Sequence, residues 1–299
     1  GKDREKNNFD FEKNFIHHLS SPLPYRRKKE QTIDEFCKDL VKEFEEKIDQ
    51  LGAENVAAFI AEPILASGGC IVPPEGYFKK IYDICKKNEI IFIADEVVTG
   101  FGRLGHFFSS EEIFGVVPDI ITCAKGITSG YLPLGAALFS DKLIADLKND
   151  SSLFFHGYTY SGHPACCAAA LKNIEILKRD KILEHVREIE PYFFKKLNKL
   201  YELPIVGDIR GKGIMAGIEC VINKDSKEAL VLDKAIGSRI DEESIKLGLI
   251  IRPLYHICVL SPALIINRSQ IDELTEKLYQ AISNTIDQLQ TEGLWSQHK

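Results

Sequence analysis

Three charged side chains follow the ends of apolar segments and carry the clearest chemical signal of this 299-residue sequence. Glu62 follows the run 56–61, Asp95 follows 90–94, and Lys125 comes just after 120–123. Short apolar runs predict buried strands, and ligands collect beyond the carboxyl ends of the strands in an open parallel sheet. A lysine amine is a nucleophile toward carbonyl groups. The combination indicates a site at which the lysine amine reacts with a carbonyl group. A single carboxylate at a strand end would usually be a cap or an ion-pair partner.

The surrounding pattern predicts an α/β protein. Helical spacing indicates helices at 33–51, 77–87, 164–200, 234–246 and 270–290, and strands are expected at 136–139, 205–209 and 214–219 as well as before the three charged residues. Apolar strands separated by helices predict a mostly parallel sheet covered on both faces. We expect a large domain at 1–170 and a smaller α+β domain at 171–299.

Composition excludes several classes of function. The net charge of −6, with acidic and basic residues interspersed, argues against a nucleic-acid partner, because phosphate binding needs a basic surface. No apolar run reaches the ~20 residues that a membrane span needs. The eight cysteines include no C-x-x-C pair, and they indicate buried thiols in a reducing compartment such as the cytoplasm, with no disulfides and no metal site.

Three motifs in one order resemble the class III (ω-) aminotransferase family. Residues 95–103 read DEVVTGFGR, which is similar to the family pattern D-E-V-x-T/S-G-F-G-R. Residues 124–136 read AKGITSGYLPLGA and resemble the family's lysine segment, and residues 156–164 read HGYTYSGHP and resemble its H-G-x-T-Y-S-G-H-P loop. The resemblance runs from Glu62-Pro63 to the C-terminal helix. It implies a pyridoxal-phosphate (PLP) enzyme with the fold of type I PLP-dependent transferases.

The resemblance also implies roles for individual residues. Lys125 would be the Schiff-base lysine, and Asp95 would hold a proton on the pyridine nitrogen of PLP, so that the ring withdraws electrons from the substrate. Val97 would pack on one face of the ring. Thr159 would hydrogen-bond the cofactor phosphate of the neighbouring subunit, which implies a homodimer. The alternative for Thr159 is a turn residue that bonds its own backbone.

Two further residues are expected around the substrate. Glu62 would lie near the substrate side of the cofactor pocket, and Arg252 matches a mobile arginine that binds a substrate carboxylate, for which a planar guanidinium is well suited. Structural roles stay open for both. Arg103 is expected to be a structural ion-pair residue.

The reaction implied is transfer of an amino group from an amine or ω-amino acid to a keto acid such as pyruvate. An aminomutase, a decarboxylase or a phospholyase of the same family stays an alternative, because the cofactor motifs do not separate these reactions. Family members are usually longer, and an N-terminal part of the large domain is expected to precede Gly1. A non-catalytic remnant that keeps the motifs is therefore the third alternative.

Overall fold

The chain folds into two compact units. The computed structural model describes residues 9, 10, 12, 14–149, 154–230 and 236–296. The second unit comprises Gly69–Ile71, Phe101–Phe107 and the described residues from Ile174 on, and the first comprises the other described residues. The domain boundary expected at residue 170 stays a prediction. The chain divides near it, at Asn173, and the two short segments belong to the second unit.

The first unit is built on a four-stranded sheet. Its strands are β1 (Ala58–Ala61), β2 (Ile91–Asp95), β3 (Ile120–Cys123) and β4 (Ala136–Phe139), in the order β1-β2-β3-β4. β1, β2 and β3 are parallel, with Ala61 opposite Ala94 and Asp95 opposite Thr122. The carboxyl ends of these three strands therefore meet at one edge of the sheet.

β4 runs antiparallel to β3 and lies at the edge of the sheet. A parallel return needs a crossover connection, which is usually a helix. Between Cys123 and Ala136 the chain forms only a short 3₁₀ helix (Lys125–Thr128) and turns. The antiparallel β4 agrees with the expected mostly parallel sheet, and its connection contains no crossover helix.

Two amphipathic helices cover one face of this sheet. α1 (Ile33–Leu51) begins with a capping box in which Thr32 and Glu35 exchange hydrogen bonds, and it ends at Gly52. α2 spans Tyr77–Lys87. Their buried sides pack against Phe92 of β2, and the ring of Phe44 lies 5.1 Å from that of Phe59 on β1. The hydrophobic effect of this contact holds the helices on the sheet.

The rest of the first unit consists of short elements and one open sheet face. The elements are 3₁₀ helices at Pro24–Arg26 and Ala53–Asn55, α3 (Ser109–Glu112) and α4 (Asp141–Asn149). All four residues of β4 are exposed, and so is Ile60 of β1. A sheet covered on both faces was expected. Within the part of the chain that the structure describes, β4 is uncovered.

The second unit contains an antiparallel sheet. Its strands are β5 (Val206–Lys212), β6 (Met215–Asn223), β7 (Glu228–Ala229), β8 (Arg252–Leu254) and β9 (Ile257–Leu260). The order is β5-β6-β9-β8, and β7 pairs with β6 beyond this path. β8 and β9 form a hairpin at the edge, and β6 is buried along most of its length.

The helices of the C-terminal part are α5 (Pro164–Arg179), α6 (Ile182–Leu197), α7 (Ile236–Lys246) and α8 (Arg268–Thr291), with a 3₁₀ helix at Asn198–Glu202. The single helical region expected at 164–200 is divided, because Lys181 takes a left-handed conformation with φ 51°. The first two residues of the helix expected at 234–246 lie outside the described residues. A capping box of Asn267 and Gln270 starts α8.

The core of the second unit lies between β6, β9 and these helices. Phe193, Leu197, Ile218 and Leu278 are fully buried there, and the indole Nε1 of Trp295 donates to the carbonyl of Ile222 at 2.9 Å. None of the helices in the described part is long and apolar enough to cross a membrane.

Candidate active site

Asp95 and Lys125 lie at the carboxyl ends of neighbouring parallel strands. Asp95 is the last residue of β2, and its register partner Thr122 lies three positions before Lys125 in the chain. The side chain of Asp95 is half-buried, and its Oδ1 accepts a hydrogen bond of 3.1 Å from the backbone amide of Val97. This bond closes the turn after β2, so that Val97 lies directly beside the carboxylate in the chain.

Lys125 begins the turn that follows β3. Its backbone is left-handed (φ 44°), which costs free energy for a residue other than glycine. The turn is held by Asn173, whose amide Nδ2 donates to the carbonyls of Gly126 at 2.8 Å and Ile127 at 3.1 Å. The lysine backbone is thus kept in an unfavourable conformation by contacts from elsewhere in the first unit, as is typical of functional positions.

An open cavity of about 370 Å³ adjoins Lys125. Its other lining residues are Thr128 and residues 130–134. Thr128 is buried, and its hydroxyl donates to the carbonyl of Leu132 at 2.6 Å, which closes the loop around the cavity. Lys125 therefore borders an open space of a size that suits a small molecule.

Glu62 directly follows β1 and belongs to the same edge. Its Oε2 accepts a hydrogen bond of 3.0 Å from the backbone amide of Ala66. Burial raises the pKa of Glu62, and the negative charge of Asp95 raises it further, whereas the Ala66 hydrogen bond and the positive charge of Lys125 lower it. Two carboxylates and one amine at the ends of three strands thus act on one another electrostatically.

Glu96 was not singled out from the sequence, although it supports the site. Successive residues of a strand point to opposite faces, so Glu96 turns away from the side of Asp95. Its fully buried carboxylate accepts five hydrogen bonds: from the backbone amides and hydroxyls of Ser109 and Ser110 and from the hydroxyl of Thr99. The doubled acid at a strand end was the available signal, but nothing near it in the sequence indicated the donors ten or more residues later.

Thr159 and Arg252 occupy exposed positions. Thr159 lies in a turn that Ser161 closes, because Ser161 Oγ accepts from the amide of Tyr158 at 3.1 Å and its own amide donates to the Tyr158 carbonyl. Arg252 is the first residue of β8 in the second unit. Glu62, Asp95, Val97 and Lys125 are brought to one edge of the sheet, whereas Thr159 lies on an outer turn of the first unit.

In the described part of the chain, backbone carbonyl groups hold the side chain of Arg103. Its Nη1 donates to the backbone carbonyls of Pro262 at 2.6 Å and Ile214 at 3.3 Å, all within the second unit. Burial lowers the pKa of Arg103 to about 10. The structural role expected for this residue agrees with the geometry, and among the described residues its partners are carbonyl oxygens rather than a carboxylate.

Comparison with known proteins was made at the level of sequence and of structure. The family described as Aminotransferase class-III matches residues 2–282. The putrescine–pyruvate aminotransferase of Pseudomonas aeruginosa is 45% identical over 260 residues, covering 87% of this chain and 56% of the relative. The chloroplastic gamma aminobutyrate transaminase 3 of Solanum lycopersicum is 39% identical over 295 residues, covering 97% of this chain and 56% of the relative. The chain thus spans about half the length of the curated relatives it matches.

Solved structures agree with these relatives. An (S)-enantioselective omega-transaminase from Thermomicrobium roseum superposes with a TM-score of 0.89 at 41% identity, over 93% of this chain and 62% of that one. An amine transaminase from an uncultivated Pseudomonas species, solved with PLP bound, superposes with a TM-score of 0.85 at 37% identity, over 89% of this chain and 61% of that one. The α/β fold class is confirmed, and PLP is confirmed as the cofactor of the family. The chain belongs to the class III aminotransferase family.

Proposed function

We propose that the protein containing this chain is a PLP-dependent aminotransferase that moves an amino group from an amine or ω-amino acid to a keto acid such as pyruvate. The observation that carries the proposal is the register of β2 and β3. It brings Asp95 opposite Thr122, three residues before Lys125, so that Asp95 and Lys125 lie at one edge of the sheet. The names of the relatives support this substrate class, because they include a putrescine–pyruvate and a gamma-aminobutyrate transaminase.

The residues at this edge fit the cofactor. PLP, when bound, supplies an aldehyde that takes up the amino group and a ring that withdraws electrons from the substrate carbon. The edge offers an amine at Lys125 for the aldehyde, a carboxylate at Asp95 for the ring nitrogen and a cavity of about 370 Å³ beside the amine. The amine thus matches the aldehyde of the heterocycle, and the carboxylate matches its ring nitrogen.

Each residue then has a distinct task. The Nζ of Lys125 would hold the cofactor through its aldehyde and, as a free amine, would carry the proton between the substrate carbon and the cofactor carbon. The carboxylate of Asp95, oriented by the Val97 amide, keeps a proton on the ring nitrogen. Val97 packs on the ring, and Glu62 borders the substrate side.

Thr159 and Arg252 complete the proposal. The exposed turn around Thr159 is free to reach the cofactor phosphate of a second copy, so that two copies form the active unit. The exposed guanidinium of Arg252 binds the substrate carboxylate in a bidentate manner. It would leave that position when the substrate is an uncharged amine.

Borohydride reduction of the full-length protein with PLP, followed by peptide mapping, tests the attachment. A pyridoxyl group on Lys125 is the expected result, and attachment elsewhere or none contradicts the proposal. An assay of alanine formed from pyruvate with a panel of amines tests the reaction. Absence of transfer to any acceptor, despite bound PLP, would favour a different PLP reaction.

Mixed dimers test the role of Thr159. Lys125→Ala and Thr159→Asp variants are each expected to be inactive alone, the second because a carboxylate repels the cofactor phosphate. If Thr159 serves the neighbouring subunit, a mixed dimer contains one complete site, and mixing the two variants restores activity. No recovery in verified mixed dimers rules out the contribution from the second copy.

A further inference from the structure

A tight hairpin carries Arg252. In this hairpin Arg252 pairs with Val259 and Leu254 pairs with Ile257, and the two-residue turn between the strands places Tyr255 in a left-handed conformation with φ 54°. Within the described residues, β8 is three residues long, pairs with one strand only and also contacts α7. The position of the Arg252 backbone therefore depends on whatever holds the hairpin turn.

Backbone hydrogen bonds hold this turn on two sides. The amide of Gly237, on α7, donates to the carbonyl of Tyr255 at 2.7 Å, and the amide of Cys220, on β6, donates to the carbonyl of His256 at 2.7 Å. A Cβ on Gly237 would lie 2.7 Å from the Tyr255 oxygen. Only a glycine permits this close approach, so the residue type at position 237 suits the contact with the hairpin turn.

The side chain of His256 adds an ionic contact to a buried cluster. Its Nε2 lies 3.6 Å from Oε1 of Glu219, whose side chain is 1% exposed. The other carboxylate oxygen, Oε2, accepts from Nη1 of Arg210 at 2.5 Å, and the same Nη1 donates to Oδ2 of Asp208 at 2.8 Å. The Nε of Arg210 donates to the carbonyl of Gly69 at 2.8 Å.

The charges of this cluster explain why the contact to His256 matters. Two carboxylates share one nitrogen of a single guanidinium, and the side chain of Arg210 is 9% exposed. A buried carboxylate is costly unless nearby groups compensate its charge. The imidazole of His256 lies at the second carboxylate oxygen of Glu219 and belongs to the hairpin turn, so the contact ties the turn to the cluster.

We propose that Glu219 is a positioning residue for the Arg252 hairpin and acts through His256. In this arrangement Arg210 fixes Glu219, Glu219 holds the imidazole, and the imidazole keeps the turn in place three to four residues from Arg252. The inference rests on the proposed function, in which Arg252 binds a substrate carboxylate. It concerns a cluster that lies within the second unit and includes none of the motif residues.

The test compares variants of the full-length, PLP-loaded protein. His256→Asn removes the imidazole and keeps a residue that suits a turn. Its KM for pyruvate is expected to rise about tenfold, because small displacements of a binding group have large effects. The single-turnover rate with an amine that lacks a carboxylate is expected to stay unchanged, since that reaction does not use Arg252. His256→Lys restores a cation beside Glu219 and is expected to recover the KM.

Glu219→Gln keeps the size of the side chain and should give the same rise in KM. Asp225→Ala, in the exposed turn between β6 and β7 of the same sheet, is the matched control and should change neither parameter. Amide hydrogen exchange of the cofactor-free protein gives a readout independent of activity. Residues 252–260 and the amide of Gly237 are expected to exchange faster in His256→Asn than in the control.

Arg252→Ala separates the two possible failures. If this variant leaves the KM for pyruvate unchanged, the assigned role of Arg252 is wrong, and the inference falls with it. If Arg252→Ala raises the KM while His256→Asn and Glu219→Gln alter neither the KM nor the exchange of the hairpin, the proposed function stands and the positioning role of Glu219 is overturned.

Discussion

The carboxylate of Glu96 accepts hydrogen bonds from both the backbone amide and the hydroxyl of Ser109, at 2.8 Å each. Among the described residues, oriented donors rather than a cation stabilise this buried carboxylate. Because Glu96 adjoins Asp95, the same bonds tie the end of β2 to the first turn of α3. The orientation of the site carboxylate depends in this way on a neighbouring residue that is fully buried.

Replacing Glu96 with alanine is therefore expected to destabilise the protein. Five donors would lose their acceptor inside the first unit, and we expect a loss of about 3 kcal/mol in the free energy of unfolding, or more. Chemical denaturation followed by circular dichroism measures this. Glu111→Gln, an exposed substitution on α3, is the control and should change stability by less than about 0.5 kcal/mol. Equal effects of the two variants would contradict the structural role of Glu96.

Substituting Asn173 tests whether the strained backbone of Lys125 needs its support. Asn173→Asp is nearly isosteric but loses the amide donor and sets a carboxylate against the carbonyls of Gly126 and Ile127. We expect a loss of activity of about tenfold or more, because the lysine turn shifts. The extent of pyridoxyl labelling at Lys125 after borohydride reduction should fall as well. Unchanged labelling would show that the turn keeps its shape unaided. Lys172→Ala, on the exposed side of the same helix, serves as the comparison.

Glu62→Gln is expected to stabilise the protein in a pH-dependent manner. The folded-state pKa of Glu62 is raised above its ordinary value of 4.5, chiefly by burial. The folded chain therefore binds the proton more tightly than the unfolded chain, and the stability that Glu62 contributes at low pH is lost as the pH rises through the folded-state pKa. At pH 7 the variant should unfold at higher denaturant concentration than the parent, and the difference should vanish toward pH 4.

The expected gain is below about 1 kcal/mol, because water screens a half-buried group. The amide oxygen of the glutamine side chain can still accept the hydrogen bond from Ala66, so the substitution isolates the charge. Glu54→Gln, at an exposed position before β1, should show no such dependence. A gain that is the same at pH 4 and pH 7 would exclude ionisation as the cause.

Thr32→Ala should weaken the start of α1. The threonine hydroxyl accepts from the amide of Glu35, and the Glu35 carboxylate accepts from the amide of Thr32. Loss of an N-cap side chain costs about 1 kcal/mol, to be measured as a lower midpoint of denaturation. Thr32→Ser keeps the hydroxyl and should retain most of the stability. If serine is as destabilising as alanine, the cap is not the cause.

Local sequence signals predicted the elements that position the site, because those elements depend on neighbouring residues. The helices expected at 33–51 and 77–87 occur as expected, the first with a capping box at Thr32 and an end at Gly52. The apolar runs before Asp95 and Lys125 form adjacent parallel strands. Because the two strands are parallel, the ends of the apolar runs were enough to predict that Asp95 and Lys125 lie at the same edge of the sheet.

Contacts between distant segments could not be predicted in the same way. The left-handed residue between α5 and α6 is Lys181, which is neither a glycine nor an asparagine. No signal in the sequence therefore marked the break between the two helices. The acceptor role of Glu96 depends on serines 13 and 14 positions later. The cluster around Glu219 requires three strands to be in register before its charges meet.

The bare surface of β4 has a practical consequence for anyone who purifies this polypeptide. Leu138 is 41% exposed and Phe139 38% exposed on an outer strand, and Ile60 is 60% exposed on the opposite outer strand. Outer strands with apolar side chains template further pairing between molecules. Kosmotropic salts strengthen apolar association, so ammonium sulfate precipitation and phenyl resins will retain the material strongly, and low-salt buffers with arginine will keep it dispersed.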